Sequence, residues 1–533
     1  MLNRIILLSG PVSSGKSTLA KGLAEHLNMH VFKTSELLQK KVRSDLRTDR
    51  KVLQVQGERL DRRTRGRWVI EELEEISRRN NGVDEVIIDS VRINEQIDAI
   101  REAYGPKVIH VHLTAPFEEL EHRYNQRKKL GKERNFLYSE IRENPTEKQV
   151  ETLANTADIV IDTNRCTEYD VLIRTMSHLN IRSGKGTGFV DVVIGGQYGS
   201  EGKGQIAAYL SREYDLLVRV GGPNAGHKVF ELPEPYAHHQ LPSGSRKNEA
   251  KLLIGPGAVI RVDKLLKEIA ECEVDVERLS IDRNVMVISD EDIAAESELV
   301  KNIGSTGQGV GAATARRILK RNKDTLLARH IPELKPYLGN AFEVIEDTIS
   351  KSQKILLEGT QGTGLSLYHG DYPYVTSRDT TVSGCLAESG IPFNRVRKVV
   401  MVCRTYPIRV GNPERETSGP LREISWEEIA RRSGYNANTL RKAERTTTTN
   451  RPRRIGEFEW GLLHRAAILN GATDIALTFT DYISKENVNA KRFERLTQET
   501  INFIQEVERV SGAPVSLIST GFNSRSIIDR RSW

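Results

Sequence analysis

Cysteine is scarce: Cys166, Cys272, Cys385 and Cys403 are the four in 533 residues. They stand far apart with no CxxC pair, which excludes a zinc ribbon or a dithiol redox motif and leaves structural or free thiols. Long apolar runs are missing too. No stretch approaches the roughly 20 apolar residues that span a bilayer, and residues 1–10 lack a signal-peptide pattern, so a cytoplasmic protein that makes no use of a membrane is expected. Charge of one sign is also absent. The 79 basic residues are nearly matched by 72 acidic ones, for a net +7, an excess that polyanionic small molecules explain without a specific nucleic-acid surface. There is no internal repeat or low-complexity tract. At roughly 100 to 200 residues per domain the length predicts two to four units.

The chain opens on an apolar run at residues 4–9 (RIILLS) that leads straight into GPVSSGKST at 10–18 and a helical pattern at 19–27. This is a P-loop in its required strand-loop-helix context. Gly10 and Gly15 allow the tight anion nest, Lys16 reaches the β and γ phosphates, Ser17 is the Mg²⁺ hydroxyl and Thr18 completes the motif. A second buried strand, residues 83–89 (VDEVIID), ends in Asp89 with Arg92 three residues on, and a third at 108–113 precedes a helix carrying Arg123 and Arg127. These parts in this order resemble small nucleoside-monophosphate kinases, and the resemblance makes Asp89, Arg92, Arg123 and Arg127 candidates for bracketing an acceptor phosphate. For Arg127, within the basic run 127–129, a solvated helix face is an equal reading. Residues 33–67 read as a basic helical segment, with Arg59, Arg62, Arg63, Arg65 and Arg67 crowded near its end. A strand at 158–162 and a helix at 169–179 close the unit. The Gly-rich stretch 181–188 (IRSGKGTG) then reads as a flexible linker, dividing a domain at 1–182 from one at 189–533.

The second domain also opens on a strand and a glycine turn. After the apolar run 190–195, Gly196, Gly199, Gly202 and Gly204 let backbone N–H groups converge on an anion, with Lys203 as a mobile positive charge. A second apolar run, 216–220, ends in GGPNAGH, which sets His227 on a rigid turn.

Together these turns (GGQYGSEGKG and GGPNAGHKV) closely resemble the opening of adenylosuccinate synthetases. STGQGVG at 305–311 with Arg316 and Arg317, EGTQG at 358–362, HGDYPYVTSRDTT at 369–381, TTTTNRPRRIG at 446–456 and STG at 519–521 follow in that family's order. The resemblance covers about 189–533 and implies an α/β architecture: a P-loop kinase-like parallel-sheet domain followed by a domain of that family's fold with a large, mostly parallel sheet. It implies ligation of L-aspartate to the 6-position of a purine nucleotide, by phosphorylating the 6-oxygen with a nucleoside triphosphate (ATP, dATP or GTP) and displacing it with the aspartate amine, in a Mg²⁺-dependent homodimer. Carried onto this chain, Lys203 with Gly199, Gly202 and Gly204 holds donor phosphates, Gly226 and Ser200 lie at the metal, and His227 acts on the γ-phosphate. Gln361 contacts the purine, and Asn224, Thr306 and Thr376 bind the acceptor 5′-phosphate. Arg316 is the arginine delivered across the dimer. Thr447, Thr448, Thr449, Arg451 and Arg453 form the aspartate loop, where forked guanidiniums suit two carboxylates. Asp481, Ser519 and Gly521 belong to the donor-base region.

Two departures bear on substrate. Ser200 stands where the family has its catalytic aspartate, and a serine hydroxyl is no carboxylate base near neutral pH. The N1 proton then needs another route: water, Glu201, or a carboxylate of the incoming aspartate. The same replacement marks the phage and archaeal branch that uses guanylate, usually dGMP. Phe479 replaces the lysine of the guanine-reading motif, which weakens the case for strict GTP use. The expectation is a ligase preferring (d)GMP, with a fused nucleotide kinase. The alternatives are an ordinary IMP-using enzyme and a non-catalytic purine-nucleotide sensor coupled to the kinase domain.

Overall fold

The computed structural model describes residues 2–533 apart from 28, 41–49, 80–84, 131–136, 180–187, 232–233, 324, 413–417, 446–450, 489 and 523. It forms two compact units, Met1–Arg182 and Ser183–Trp533.

In the small unit, Arg4–Ser9 is the middle strand and is buried from Ile5 onward. An uninterrupted aliphatic run has no polar face to offer water, which suits a parallel strand covered on both sides. Ile5 and Leu7 pack with Trp68 and Leu73 on one face, and Ile6 and Leu8 with Leu23 and Val111 on the other. Across the sheet the order is His30–Lys33, Glu85–Asp89, Arg4–Ser9, Val108–Thr114 and Ile159–Asp162, parallel throughout. The edge strand His30–Lys33 is short, and none of its residues is fully buried. It went unread in the sequence because it carries no apolar alternation. The chain leaves the middle strand toward one edge and leaves Val108–Thr114 toward the other, so a crevice opens at their carboxyl ends. The loop 10–15 sits there. Gly10 is obligatory at this point: its φ is +141°, and a Cβ would come within 2.3 Å of the Leu113 carbonyl oxygen.

The large unit is organised by a ten-stranded sheet. Its central run is Leu216–Arg219, Lys354–Glu358, Phe189–Gly195, Val396–Arg404 and Asp474–Thr478, all parallel. The edge strand Ile527–Asp529 pairs antiparallel with Val515–Ser519. Apolar cores cover both faces, Val190, Val192 and Ile194 facing one and Val193, Leu356 and Val400 the other. Because neighbouring strands run the same way, their carboxyl ends share one rim, and Phe189–Gly195, Leu216–Arg219 and Lys354–Glu358 each carry one of the glycine-rich turns read from the sequence. A small antiparallel sheet of Ile408–Val410, Arg453–Gly456 and Glu423–Ile424 stands apart from it.

Beneath the loop of the small unit, the Ser9 hydroxyl lies 2.6 Å from His110 Nε2 and 2.8 Å from His112 Nδ1. Both imidazoles are fully buried. Burial first, helped for His110 by His112 and for His112 by Lys16, lowers each pKa from 6.5 to about 4. The unfolded chain therefore takes up protons that the native unit refuses, so the contribution of this pair is whole above about pH 6.5 and is lost as pH falls toward 4. Thermal unfolding of the small unit should move to lower temperature between pH 7 and pH 5, with a smaller movement in His110→Asn. An identical pH dependence in the two proteins would contradict this assignment.

Candidate active site

At the shared rim of the large sheet lies a cavity of about 240 Å³ whose walls include Ser200, Lys203, Asn224, Gly226, His227, Thr306, Gln361, Thr376 and Arg453. Nine residues singled out from six separate sequence segments thus meet in one place. Gln361, in a left-handed conformation (φ +56°), donates from Nε2 to Asn224 Oδ1 at 3.0 Å. Its Oε1 is buried without a partner among the described residues.

His227 is held by a charge cluster of which only EGTQG gave a hint in the sequence. Glu358, 2% exposed, accepts from the Ser243 backbone N–H at 2.8 Å and from its hydroxyl at 2.5 Å, and pairs with Arg219 at 2.9 Å. His227 Nδ1 lies 2.5 Å from Glu358 Oε1 and 2.7 Å from Arg219 Nη1. Burial alone would raise the Glu358 pKa, but Arg219 and His227 hold it well below the carboxylate range. Burial, then Arg219, lowers His227 to about 3 against the opposing pull of Glu358, so the imidazole is neutral at pH 7. Gly204 is required here, since a Cβ would fall 2.7 Å from the His227 Cβ.

Glu201 does not serve as a free base. It is fully buried, accepts from the Gly199 and Gln197 N–H groups at 2.8 and 3.1 Å, and its other oxygen is bound by Lys203. It braces the turn on which Ser200 sits in a left-handed conformation (φ +58°). One of the three proton routes open in the sequence is thereby removed.

A second buried network runs from the cavity wall toward Phe479. Arg453 Nη1 donates to Glu444 at 2.6 Å, and the same carboxylate accepts from Arg404 Nη2 at 2.9 Å and Tyr482 at 2.8 Å. Arg404 in turn donates to the Ser200 carbonyl at 3.2 Å and lies 3.9 Å from the centre of the Phe479 ring. Burial would raise Glu444, but Arg404 and Arg453 hold it at about 2. Arg409, which sequence reasoning missed, also lines the cavity. It stacks over Tyr198 at 3.8 Å and donates to Asp371 at 3.1 Å. The Nε atoms of both Arg409 and Arg453 are buried without partners among the described residues, so the wall seeks anions. Arg219, Arg404 and Arg409 shared one legible signal: a lone guanidinium in or at the end of an apolar strand.

Other expected residues lie elsewhere. Gly202, Gly204, Asp481, Ser519 and Gly521 are not on the cavity wall. Asp481 is buried, accepts from the Tyr435 hydroxyl at 3.0 Å, and is pushed by burial up to about 6. Arg316 is bound within its own subunit, by Asp292 at 2.7 and 3.0 Å and by the Val287 carbonyl at 2.8 Å. Arg451 ties its loop to the Ser305 carbonyl at 3.2 Å. Thr447, Thr448 and Thr449 fall outside the described residues.

The small unit has a larger cavity, about 830 Å³, lined by Lys16, Ser17, Asp89, Arg92 and Arg127 among others. Lys16 Nζ donates to the Gly10 and Pro11 carbonyls at 2.7 and 2.8 Å. Burial and then Arg92 lower its pKa to about 7. Ser17 donates to Asp89 at 2.7 Å, Arg92 pairs with Glu147, and the Ser13 and Ser14 hydroxyls are buried without partners among the described residues. Thr18 and Arg123 do not line the cavity; Arg123 is fastened to Glu119 and Thr163.

Residues 192–326 and 325–488 match the family model for adenylosuccinate synthetase. The chain belongs to that family. The adenylosuccinate synthetase of Methanocaldococcus jannaschii is 39% identical over 350 residues, 64% of this chain and 96% of the relative, and that of Pyrococcus horikoshii is 38% identical over 348, covering 64% and 98%. Among solved structures, the cyanophage S-2L succinoaminodeoxyadenylate synthetase bound to dGMP and dATP as an energy donor is similar with a TM-score of 0.55 and 29% identity, over 65% of this chain and 96% of that one. The fully ligated adenylosuccinate synthetase of Plasmodium falciparum has the same TM-score at 22% identity, over 64% and 100%, and shares the fold. Residues 6–172 match a second model, an AAA domain, which fits a P-loop kinase-like unit. The protein is therefore a ligase of the adenylosuccinate synthetase type with an added P-loop domain.

Replacing Glu444 by Gln keeps the shape but removes the charge shared by two arginines. Breaking a buried pair costs about 3 to 5 kcal/mol, so Glu444→Gln should unfold at lower temperature. With Arg453 unanchored, KM for aspartate should rise about tenfold or more, well beyond any rise for the purine nucleotide. Equal rises for both substrates would reduce Glu444 to a support of the fold.

Proposed function

We propose that the large unit joins L-aspartate to C6 of a guanylate nucleotide, GMP or dGMP, in preference to IMP, with ATP or dATP as phosphoryl donor, and that the small unit is a nucleotide kinase of the same pathway. The observation that carries the guanylate reading is Ser200: a short hydroxyl residue on the cavity wall, where the resembled family presents a carboxylate. The likeness to a dGMP- and dATP-bound enzyme supports both halves of the substrate reading.

In this reading O6 attacks the γ-phosphorus of the donor, the nucleoside diphosphate leaves, and N1 gives up its proton. The aspartate amine then adds to C6, and inorganic phosphate departs with the C–O bond. Lys203 keeps its bond to Glu201 and offers its other ammonium protons to the donor phosphates. His227, held neutral by burial and Arg219, gains proton affinity as phosphate charge enters beside it, and Glu358 steadies the imidazolium. With Glu201 committed to its loop, the N1 proton departs through water or the aspartate carboxylate. Arg453 and Arg409, with unpaired Nε donors, take the aspartate carboxylates. Mg²⁺ suits the oxygen donors present: the Gly226 carbonyl and Ser200 in the large unit, Ser17 and Asp89 in the small one. Among the described residues no three His, Cys, Asp or Glu side chains gather as a metal centre, which fits an ion completed by substrate phosphates and water. Bound there, it would neutralise charge on the transferring phosphoryl group. Phe479, with Arg404 beneath its ring, offers any purine a stacking face, in keeping with ATP as donor.

The decisive assay incubates the protein with aspartate, ATP, and each of IMP, dIMP, GMP and dGMP, with products identified by mass spectrometry. Guanylates should be favoured by about tenfold or more, the scale of one buried hydrogen-bond mismatch, and Ser200→Asp should shift the preference toward IMP. Efficient IMP ligation with no guanylate product would return the protein to the ordinary branch, and no succinyl-nucleotide at all would favour a sensor. His227→Ala should lower turnover by a factor on the order of 10² to 10⁴ with substrate KM values little changed; unaltered turnover would make His227 a turn residue.

A further inference from the structure

We infer that the acceptor pocket of the small unit reads a guanine base, through Asp61 and Gln96. This rests on the kinase reading above. Both residues line the cavity that begins at Lys16 and Asp89, and their hydrogen bonds leave a defined remainder. Gln96 Oε1 accepts from the Arg92 backbone N–H at 3.0 Å, which fixes which end of the amide is oxygen. Its Nε2 donates to Asp61 Oδ1 at 3.0 Å, and the indole N–H of Trp68 donates to the same oxygen at 2.7 Å. Trp68 is 2% exposed, so the carboxylate is pinned by a rigid group. Among the described residues, the second Nε2 proton of Gln96 and both lone pairs of Asp61 Oδ2 remain unspent.

One donor beside two acceptor positions complements the guanine edge in order: O6, N1–H and the 2-amino group. Hypoxanthine lacks the last of these. Adenine sets a donor beside an unprotonated N1 and leaves a carboxylate lone pair facing nothing. Leu38, Leu53 and Ile93 line the same cavity and supply apolar flanks for a flat ring. Burial raises the Asp61 pKa; a carboxylate partly stripped of water gains most from two N–H donors. Arg92, four residues before Gln96, lines the same cavity and pairs with Glu147, a contact that an acceptor phosphate would replace.

The test uses the full chain with Mg²⁺ and ATP, aspartate omitted so that ligation cannot finish, and GMP, dGMP, IMP or AMP as acceptor, with nucleoside diphosphates separated by chromatography. Guanylates should exceed IMP and AMP by about tenfold or more in kcat/KM. Asp61→Asn, which keeps an acceptor for Trp68, and Gln96→Met should each erase most of that margin, chiefly by raising guanylate KM. Equal use of GMP and IMP by the unaltered protein, or a margin that survives both substitutions, overturns the base assignment. Failure of the kinase reading looks different: no diphosphate from any acceptor, or formation that survives Lys16→Ala. In that event equilibrium dialysis with labelled GMP decides the base site alone. Loss of one guanylate site per chain in Asp61→Asn supports it, and an unchanged count and affinity overturns it.

Discussion

Burying Glu358 is tolerable only because Arg219, the Ser243 backbone and hydroxyl, and the His227 imidazole meet it together. Those groups come from adjacent parallel strand ends and from the turns that follow them. An unpaired carboxylate at this depth would cost several kcal/mol, and so would an unpaired Arg219. The cluster therefore fixes the register between strand Leu216–Arg219, strand Lys354–Glu358 and the His227 turn, and the His227 imidazole inherits its position from that requirement. Burial keeps His227 neutral, and Arg219 adds to this by already supplying the positive charge that Glu358 demands.

The Glu444 network obeys the same rule at the other end of the cavity. Its carboxylate serves Arg404, Arg453 and Tyr482 at once, and Arg404 carries the connection on to the Ser200 carbonyl and the Phe479 ring. The two positions at which this chain departs from its family, Ser200 and Phe479, therefore touch one buried guanidinium.

The small unit shows how an anion site waits. Lys16 rests on the Gly10 and Pro11 carbonyls, Arg92 on Glu147, and Ser17 on Asp89; each cation or hydroxyl has a partner that a phosphate or a metal ion would displace. The Ser13 and Ser14 hydroxyls have none, and the buried neutral pair His110 and His112 adds no competing charge beneath the loop. If both units handle guanine nucleotides, one does so with a carboxylate and an amide, and the other by withholding a carboxylate.

Local residues were enough to determine the two glycine turns, the P-loop and the aliphatic parallel strands, because each is a short-range demand: φ above zero, an anion nest, or a face that water must not reach. Ser200 and Phe479 were legible for the same reason, as single departures inside recognisable motifs. The sequence could not show which charges would be neutralised by which partners. Glu201, open as a proton acceptor on paper, is consumed by Gly199, Gln197 and Lys203, and Arg316 is held by Asp292. Arg409, Arg404 and Glu444 entered the site from segments with no motif at all. The Glu201 partners lie in its own turn, whereas those of Arg404 and Arg409 lie tens to hundreds of residues away and follow from strand order, which brings distant chain ends to one rim. Propensity and spacing determine the elements; only the packed sheet decides whose charge each buried group must answer.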